Sequence, residues 1–225
     1  MRTSGILMHI SSLPSKYGIG TMGREARKYV DFLAKAGQTY WQILPICPTS
    51  YGDSPYQSFS SFAGNPYFID LDLLCKDKLL KKAECDSYFW GKSDTEVDYG
   101  ILYENRYDLL KKAYKRFVKN LPDDYEVFCE EQSEWLDNYA LFMALKDANG
   151  GNEWSKWEKN LKFREEASIV QTRKTYAEEM DFYKMLQYLF FRQWNSLKAY
   201  ANEKGIQIIG DVPIYVAMDS ADVWA

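Results

Sequence analysis

The sequence predicts an α/β protein whose strands run parallel, with helices crossing between them. Three stretches carry that prediction. The first is a strand–loop–helix–strand run from "SGILMHISSLPS" to "TYWQILPI". The second is a long amphipathic segment, "DFYKMLQYLFFRQWNSLKAYANEKG", followed directly by the apolar run "IQIIGDVPIYVAM". The third is a middle region, about residues 70–180, rich in Lys, Glu and aromatics at helical spacing between those two patterns.

Each element has its own local reason. Residues 5–10 read as an apolar strand that gives way to a Ser/Pro loop. In "REARKYVDFLAKAG" the apolar residues Ala26, Tyr29, Val30, Phe32, Leu33 and Ala36 fall near helical period, and Gly37 stands where a helix C-cap glycine would. "TYWQILPI" reads as a strand stopped by Pro45 and Pro48. "SEWLDNYALFMALKDANGG" carries a broad apolar stripe through Trp135, Leu136, Tyr139, Ala140, Phe142 and Met143 and ends at Gly150–Gly151. Residues 206–209 form the third strand, expected to be buried, and Gly205 stops the helix before it. The chain closes inside the apolar segment "DSADVWA", and three strands with a helical insertion do not make a closed architecture, so the sequence reads as part of a longer protein.

Composition excludes several classes of function. A net charge of −4 offers no clustered basic surface for nucleic acid or for an anionic membrane. His9 is the only histidine, and Cys47, Cys75, Cys85 and Cys129 share no metal-ligand spacing, which excludes a Cys/His zinc site. Nothing approaches the length of a membrane span, so a cytoplasmic protein with free thiols is expected. Aromatic residues make up 16% of the chain; without basic charge, that excess points to stacking on neutral ligands or to a large core.

In a parallel α/β protein the loops after the strands build the site. The loop after the second strand, "PTSYGDSPYQSFSSFAGNPY", is charged only at Asp53 and mixes rings with short polar groups. A sugar has apolar C–H faces and a hydroxyl rim, and suits aromatic plates flanked by such groups. Tyr51, Tyr56, Phe59 and Tyr67 are candidate plates, and Asp53, Ser54, Gln57 and Asn65 candidate partners. Packing is the competing reading for every ring, favoured at Phe59 and Phe62, whereas Tyr56 is read as a ligand contact. Asp211 follows Gly210 at the end of the third strand and points to the site or caps a turn. His9 is a structural residue or a hydroxyl partner. "GIGTMG" lacks the Gly-Lys-Ser/Thr ending of a phosphate loop.

At these residues the chain resembles the 4-α-glucanotransferases of glycoside hydrolase family 77, the amylomaltases or disproportionating enzymes. "SSLPSKYGIGTMGREA", the aromatic loop, "WLDNYALFMALK" and "GDVPIYVAMDSADVW" carry the resemblance from end to end. It implies the N-terminal part of a (β/α)8 TIM barrel with a large, mostly helical insertion between the second and third strands. Residues 1–70 would supply the first two βα units and the aromatic loop, 71–180 the insertion, and 181–225 the crossover helix, the third strand and the start of its loop. It implies transfer of α-1,4-glucan segments by a retaining double displacement, with a nucleophile and an acid/base about 5 Å apart. Those carboxylates are expected beyond residue 225. Carried over by position, Asp211 supports the nucleophile, Tyr56 with Ser54 lines the subsites near the scissile bond, and Tyr51 and Tyr99 resemble a second glucan patch. No cofactor and no metal are implied. The implied partners are maltooligosaccharides and α-glucans derived from starch or glycogen, with no nucleic acid and no membrane. A non-catalytic α-glucan-binding module and an α-amylase-clan hydrolase stay open as alternatives.

Overall fold

The computed structural model describes residues 2–50, 52–93 and 95–225. In chain order the elements are β1 (Gly5–Leu7), α1 (Arg24–Lys35), β2 (Tyr40–Gln42), α2 (Leu71–Lys76), α3 (Lys82–Asp86), α4 (Tyr99–Phe117), α5 (Tyr125–Glu131), α6 (Ser133–Ala148), α7 (Lys159–Lys162), α8 (Glu166–Thr175), α9 (Ala177–Glu203), β3 (Gln207–Ile209) and α10 (Ala221–Trp224). They divide into two compact units. The first holds residues 1–46, 65–121 and 189–211; the second holds 47–64, 122–188 and 212–225. The middle of the sequence is thus shared, residues 71–121 in the first unit and 122–180 in the second.

The first unit is built on a parallel three-stranded sheet in the order β1-β2-β3, with Ile6 opposite Trp41 and Trp41 opposite Ile208. Trp41 is fully buried at its centre and donates its indole N–H to the Met8 carbonyl at 2.7 Å. The strands are shorter than the apolar runs suggest. Single bonds prolong the ladder, Met8 N–H to Gln42 O at 2.9 Å and Ile43 N–H to Ile209 O at 3.0 Å, before Pro45, which has no N–H to donate. Ile206 is buried, whereas Gln207 is exposed and Ile209 is 43% exposed, as β3 is the last strand of the sheet formed by the described residues.

Helix α1 packs through Ala26, Val30 and Leu33, a narrower stripe than expected, since Phe32 stands 53% exposed. Gly37 takes φ +69°, the left-handed cap that glycine supplies without a Cβ penalty. The "GIGTMG" loop owes its glycines to close packing. A Cβ on Gly20 would lie 1.8 Å from the Ile10 carbonyl oxygen, and one on Gly23 would lie 2.0 Å from the Asp70 carboxylate. Asp70 needs that space, because it caps α2 through the Leu73 N–H at 2.9 Å and accepts from Thr21 Oγ1 at 2.7 Å.

A buried arginine organises the segment after the aromatic loop. Arg106 of α4 is fully buried and donates from Nη2 to the carbonyls of Tyr67 (2.7 Å) and Ile69 (2.5 Å). Burial pulls its pKa down to about 10, with the Asp70 carboxylate as the largest opposing influence. Its guanidinium lies 5.8 Å from the Trp90 ring centroid.

The second unit is helical, and α6 is its centre. Residues 139–146 of α6 are buried on every side, so the helix is enclosed rather than striped. Helix α9 is shared, its residues to 188 in the second unit and the rest in the first. Two of its glutamines grip main chain. Within the second unit Gln187 accepts from Gly64 N–H (2.7 Å) and donates to Gly64 O (3.0 Å). Within the first, Gln193 accepts from Asp70 N–H (2.7 Å) and donates to Asp70 O (3.3 Å).

Candidate active-site loop and its clamp

The aromatic loop folds as a tight hairpin in the second unit. Thr49 and Ser58 form an antiparallel bridge, and Ser50 N–H bonds Gln57 O at 3.0 Å. Two reverse turns close the tip, with Asp53 N–H on Ser50 O at 3.1 Å and Gln57 N–H on Ser54 O at 3.2 Å. Gly52 (φ +82°) and Asp53 (φ +56°) take left-handed conformations there, which glycine adopts freely and aspartate tolerates. The tip brings together three of the expected site residues: Asp53, Ser54 and Tyr56. The Tyr56 ring is 48% exposed, and its N–H is held by Ser54 Oγ at 3.3 Å. Partial desolvation raises the Asp53 pKa.

The base of the hairpin is clamped by α10, at the far end of the chain. The Asp222 carboxylate accepts from Ser60 Oγ (2.9 Å), Ser61 N–H (2.6 Å) and Ser61 Oγ (2.7 Å). Ala221 N–H adds a bond to Phe59 O at 2.8 Å. Beside it the buried Lys146 of α6 pairs with the partly exposed Asp219. The Lys146 ammonium also lies 5.1 Å from the Phe59 ring and 5.8 Å from the Phe142 ring, and donates to Asn152 O at 3.3 Å. Asp219 receives Trp154 N–H at 3.2 Å, and Trp154 Nε1 donates to Met218 O at 2.7 Å. The segment "MDSADVW" is therefore the buttress of the aromatic loop. Asp222, Ser60, Ser61 and Lys146 were not among the sequence-based candidates.

The remaining candidates fall elsewhere. Tyr51 lies outside the described residues. Tyr67 and Asn65, read as a plate and its partner, are core residues of the first unit. Tyr67 is 8% exposed, and the Asn65 side chain accepts its N–H at 3.0 Å in a short 3-10 turn that starts at Pro66. Tyr99 opens α4 in the first unit, with its ring 6.2 Å from Tyr67. Phe59 packs on Phe142 at 6.3 Å, as expected of a packing ring. Phe62 departs from the packing expectation: it is 60% exposed and stacked on Trp135 at 6.3 Å and 18°, a presented double plate.

Asp211 follows β3 in the first unit and is partly exposed. Gly210 before it has open space where a Cβ would stand and no left-handed φ, so the turn there does not depend on glycine. His9 is buried edge-on to Phe68 at 5.3 Å, and burial lowers its pKa to about 4. It is a neutral core histidine. The loop after β1 also forms one wall of a cavity of about 470 Å³, whose other wall includes Trp90, Ser93 and Thr95. Among the described residues no cluster of acidic, Cys or His side chains is arranged to hold a metal ion, and no helix is long and apolar enough to cross a membrane.

Comparison with known proteins gives this geometry a family. Residues 8–225 match the glycoside hydrolase 77 family, described as 4-alpha-glucanotransferase. The 4-alpha-glucanotransferase of Clostridium butyricum is 51% identical across 97% of this chain and 45% of its own length. That of Thermus thermophilus is 49% identical across all of this chain and 45% of its own length. The chain thus spans less than half the length of these relatives. The solved amylomaltase from Streptococcus agalactiae in complex with acarbose superposes with a TM-score of 0.97 at 45% identity, covering all of this chain and 46% of that one. The amylomaltase of Corynebacterium glutamicum, at 17% identity and a TM-score of 0.70, shares the fold. With the family match running over residues 8–225, the chain belongs to the glycoside hydrolase 77 family of 4-alpha-glucanotransferases.

Proposed function

We propose that this chain is the substrate-gripping N-terminal part of a 4-α-glucanotransferase that moves α-1,4-glucan segments between maltodextrin acceptors by a retaining double displacement. In this reading the three parallel strands begin a (β/α)8 barrel, the helical region is an insertion between its second and third strands, and the nucleophile and acid/base lie beyond residue 225. The observation that carries it is the clamped hairpin. An exposed ring at Tyr56, flanked by Ser54 and Asp53, stands on a turn whose base is fixed by Asp222. A rigid, exposed plate with hydroxyl and carboxylate neighbours suits a pyranose face and rim, and fixing it beforehand removes ordering cost from glucan binding.

Each site residue then has a task. Tyr56 and Ser54 hold the donor near the scissile bond, and Asp53 accepts from its hydroxyls. Tyr51 and Tyr99 contribute to a second glucan patch. Asp211 orients a cation that in turn positions the nucleophile. The ligands are maltooligosaccharides and longer α-glucans. The acarbose bound by the S. agalactiae amylomaltase, an enzyme of the same fold, supports an oligosaccharide as the ligand.

The test is steady-state disproportionation of maltotriose by the enzyme that carries this chain, with Tyr56→Ala and Tyr56→Phe. We expect Tyr56→Ala to lower kcat/KM by roughly two- to tenfold, as loss of a stacking contact worth about 0.5–1.5 kcal/mol requires, and Tyr56→Phe to keep most of it. Full activity in Tyr56→Ala would remove the plate from the donor site. Glucan binding with no transfer in the wild-type enzyme would favour a binding module, and glucose release without longer products a hydrolase.

A further inference from the structure

Two of the four cysteines face each other. Cys75 near the end of α2 and Cys85 within α3 bring their sulfurs to 3.7 Å, and both are free thiols. Cys85 is fully buried, whereas Cys75 is partly exposed. A disulfide needs about 2.0 Å between sulfurs, so closing this pair takes about 1.7 Å of approach, within reach of side-chain rotation and small main-chain adjustment. Nothing in the proposed transferase chemistry uses either thiol. We propose that Cys75 and Cys85 are a reversible modification site: a dithiol that oxidants of the peroxide class convert to a disulfide linking α2 to α3.

The asymmetry of the pair sets the order of events. Cys75 meets the oxidant first, because solvent reaches it. Its sulfur takes one oxygen from hydrogen peroxide to become a sulfenic acid, and one water leaves. The Cys85 sulfur, already in contact, then attacks the Cys75 sulfur, and the sulfenic oxygen departs as a second water with the remaining thiol proton. Two thiols are oxidised by two electrons in all, one peroxide is reduced, and a dithiol reductant reverses the step. The Lys82 ammonium favours the thiolate at both cysteines, while Asp72 opposes it at both and Asp86 at Cys75. Burial outweighs the lysine, raising Cys75 and lifting Cys85 to about 12, so little thiolate is present and peroxide oxidises Cys75 slowly, after which the Cys85 sulfur in contact resolves the sulfenic acid to the disulfide.

The link would be felt at once in the first unit. The Cys85 carbonyl accepts the Trp90 indole N–H at 3.0 Å, and Trp90 lines the cavity beside the loop after β1.

The experiment is peptide mapping without reduction of the intact protein after hydrogen peroxide treatment, with and without later dithiothreitol. Cys75→Ser and Cys47→Ser run in parallel. The expected result is one cross-linked product, lighter by two hydrogen atoms, joining the peptides of residues 75 and 85. Dithiothreitol should abolish it; it should persist in Cys47→Ser and be absent from Cys75→Ser, where Cys85 stays reduced. A cross-link through Cys47 or Cys129 would overturn the proposal, as would Cys75 passing to the sulfinic or sulfonic acid with Cys85 still a thiol. So would both thiols remaining reduced when peroxide is kept in excess well beyond the time that oxidises free cysteine in the same tube.

Discussion

Replacing Asp222 by alanine should loosen the aromatic loop while leaving its sequence untouched. Three bonds are lost: Ser60 Oγ at 2.9 Å, Ser61 N–H at 2.6 Å and Ser61 Oγ at 2.7 Å. Hydrogen bonds to a charged group contribute about 1.5–3 kcal/mol each in favourable settings. Ser61 is exposed, so water replaces much of its share, while Ser60 is 1% exposed and its hydroxyl loses a partner that water does not readily supply. A net local loss of about 2–3 kcal/mol follows, which corresponds to a roughly 30- to 150-fold fall in amide protection if opening is local. Hydrogen–deuterium exchange by mass spectrometry on the enzyme that carries this chain reads it directly. The peptides covering residues 58–63 and 220–224 should exchange faster by that factor, and those of α1 and β2 should not. Unchanged exchange at 58–63 would refute the clamp; a uniform rise everywhere would show Asp222 to be a global stability residue instead.

Acid sensitivity should be traceable to His9. Its folded pKa of about 4 lies below the ordinary 6.5, so the unfolded chain binds the proton more readily. Stability is therefore full above pH 6.5 and falls as pH drops from 6.5 towards 4, by about 3 kcal/mol over that window; His9→Gln should flatten this part of the denaturant-midpoint-against-pH curve. Lys146→Met strands the Asp219 carboxylate beside α6 and should cost about 3 kcal/mol in urea unfolding, with Asp219→Asn added in the same chain restoring part of it; additive losses would mean the two charges do not act as a pair. Asp211→Asn in the enzyme that carries this chain should keep its melting temperature and lose about ten- to a hundredfold in maltotriose turnover, the measure of one charge-assisted pair; wild-type turnover would make Asp211 a turn residue.

Much of the fold was legible because its signals are local. Helix α1 is marked by its own stripe and by Gly37, and α9 by its length and by Gly205, which takes φ +77°. The aromatic loop was visible as unusual chemistry, but its architecture was not. What fixes it is Asp222, some 160 residues from Ser60 and Ser61, and no periodicity or spacing records a contact at that separation. The same blindness misread Tyr67 as a plate. Residues 65–69 leave the loop and enter the core because Arg106 waits there for their carbonyls, and a buried arginine on an amphipathic helix looks in sequence like any solvated one. Strand lengths were overestimated for a different reason. Apolar runs report burial potential, whereas a ladder ends where proline removes the donor, as at Pro45.

The paired amides of Gln187 and Gln193 have a consequence for how this sequence can drift. Each glutamine presents one donor and one acceptor from a single planar head to the N–H and C=O of one residue, the hydrogen-bond pattern a neighbouring strand would offer. A helix is in this way fitted with the edge of a sheet at two points, and stretches of main chain that belong to no sheet are still fully partnered. Glutamate keeps the acceptors but forfeits the donor, and adds a buried charge. Leucine fills the volume but leaves the Gly64 N–H and C=O without the glutamine, and at Asp70 it leaves the N–H, while that carbonyl still accepts from Leu74 N–H at 3.3 Å. Asparagine carries the right head on a stem one carbon too short. These two positions therefore favour one residue type for the sake of main-chain partners alone.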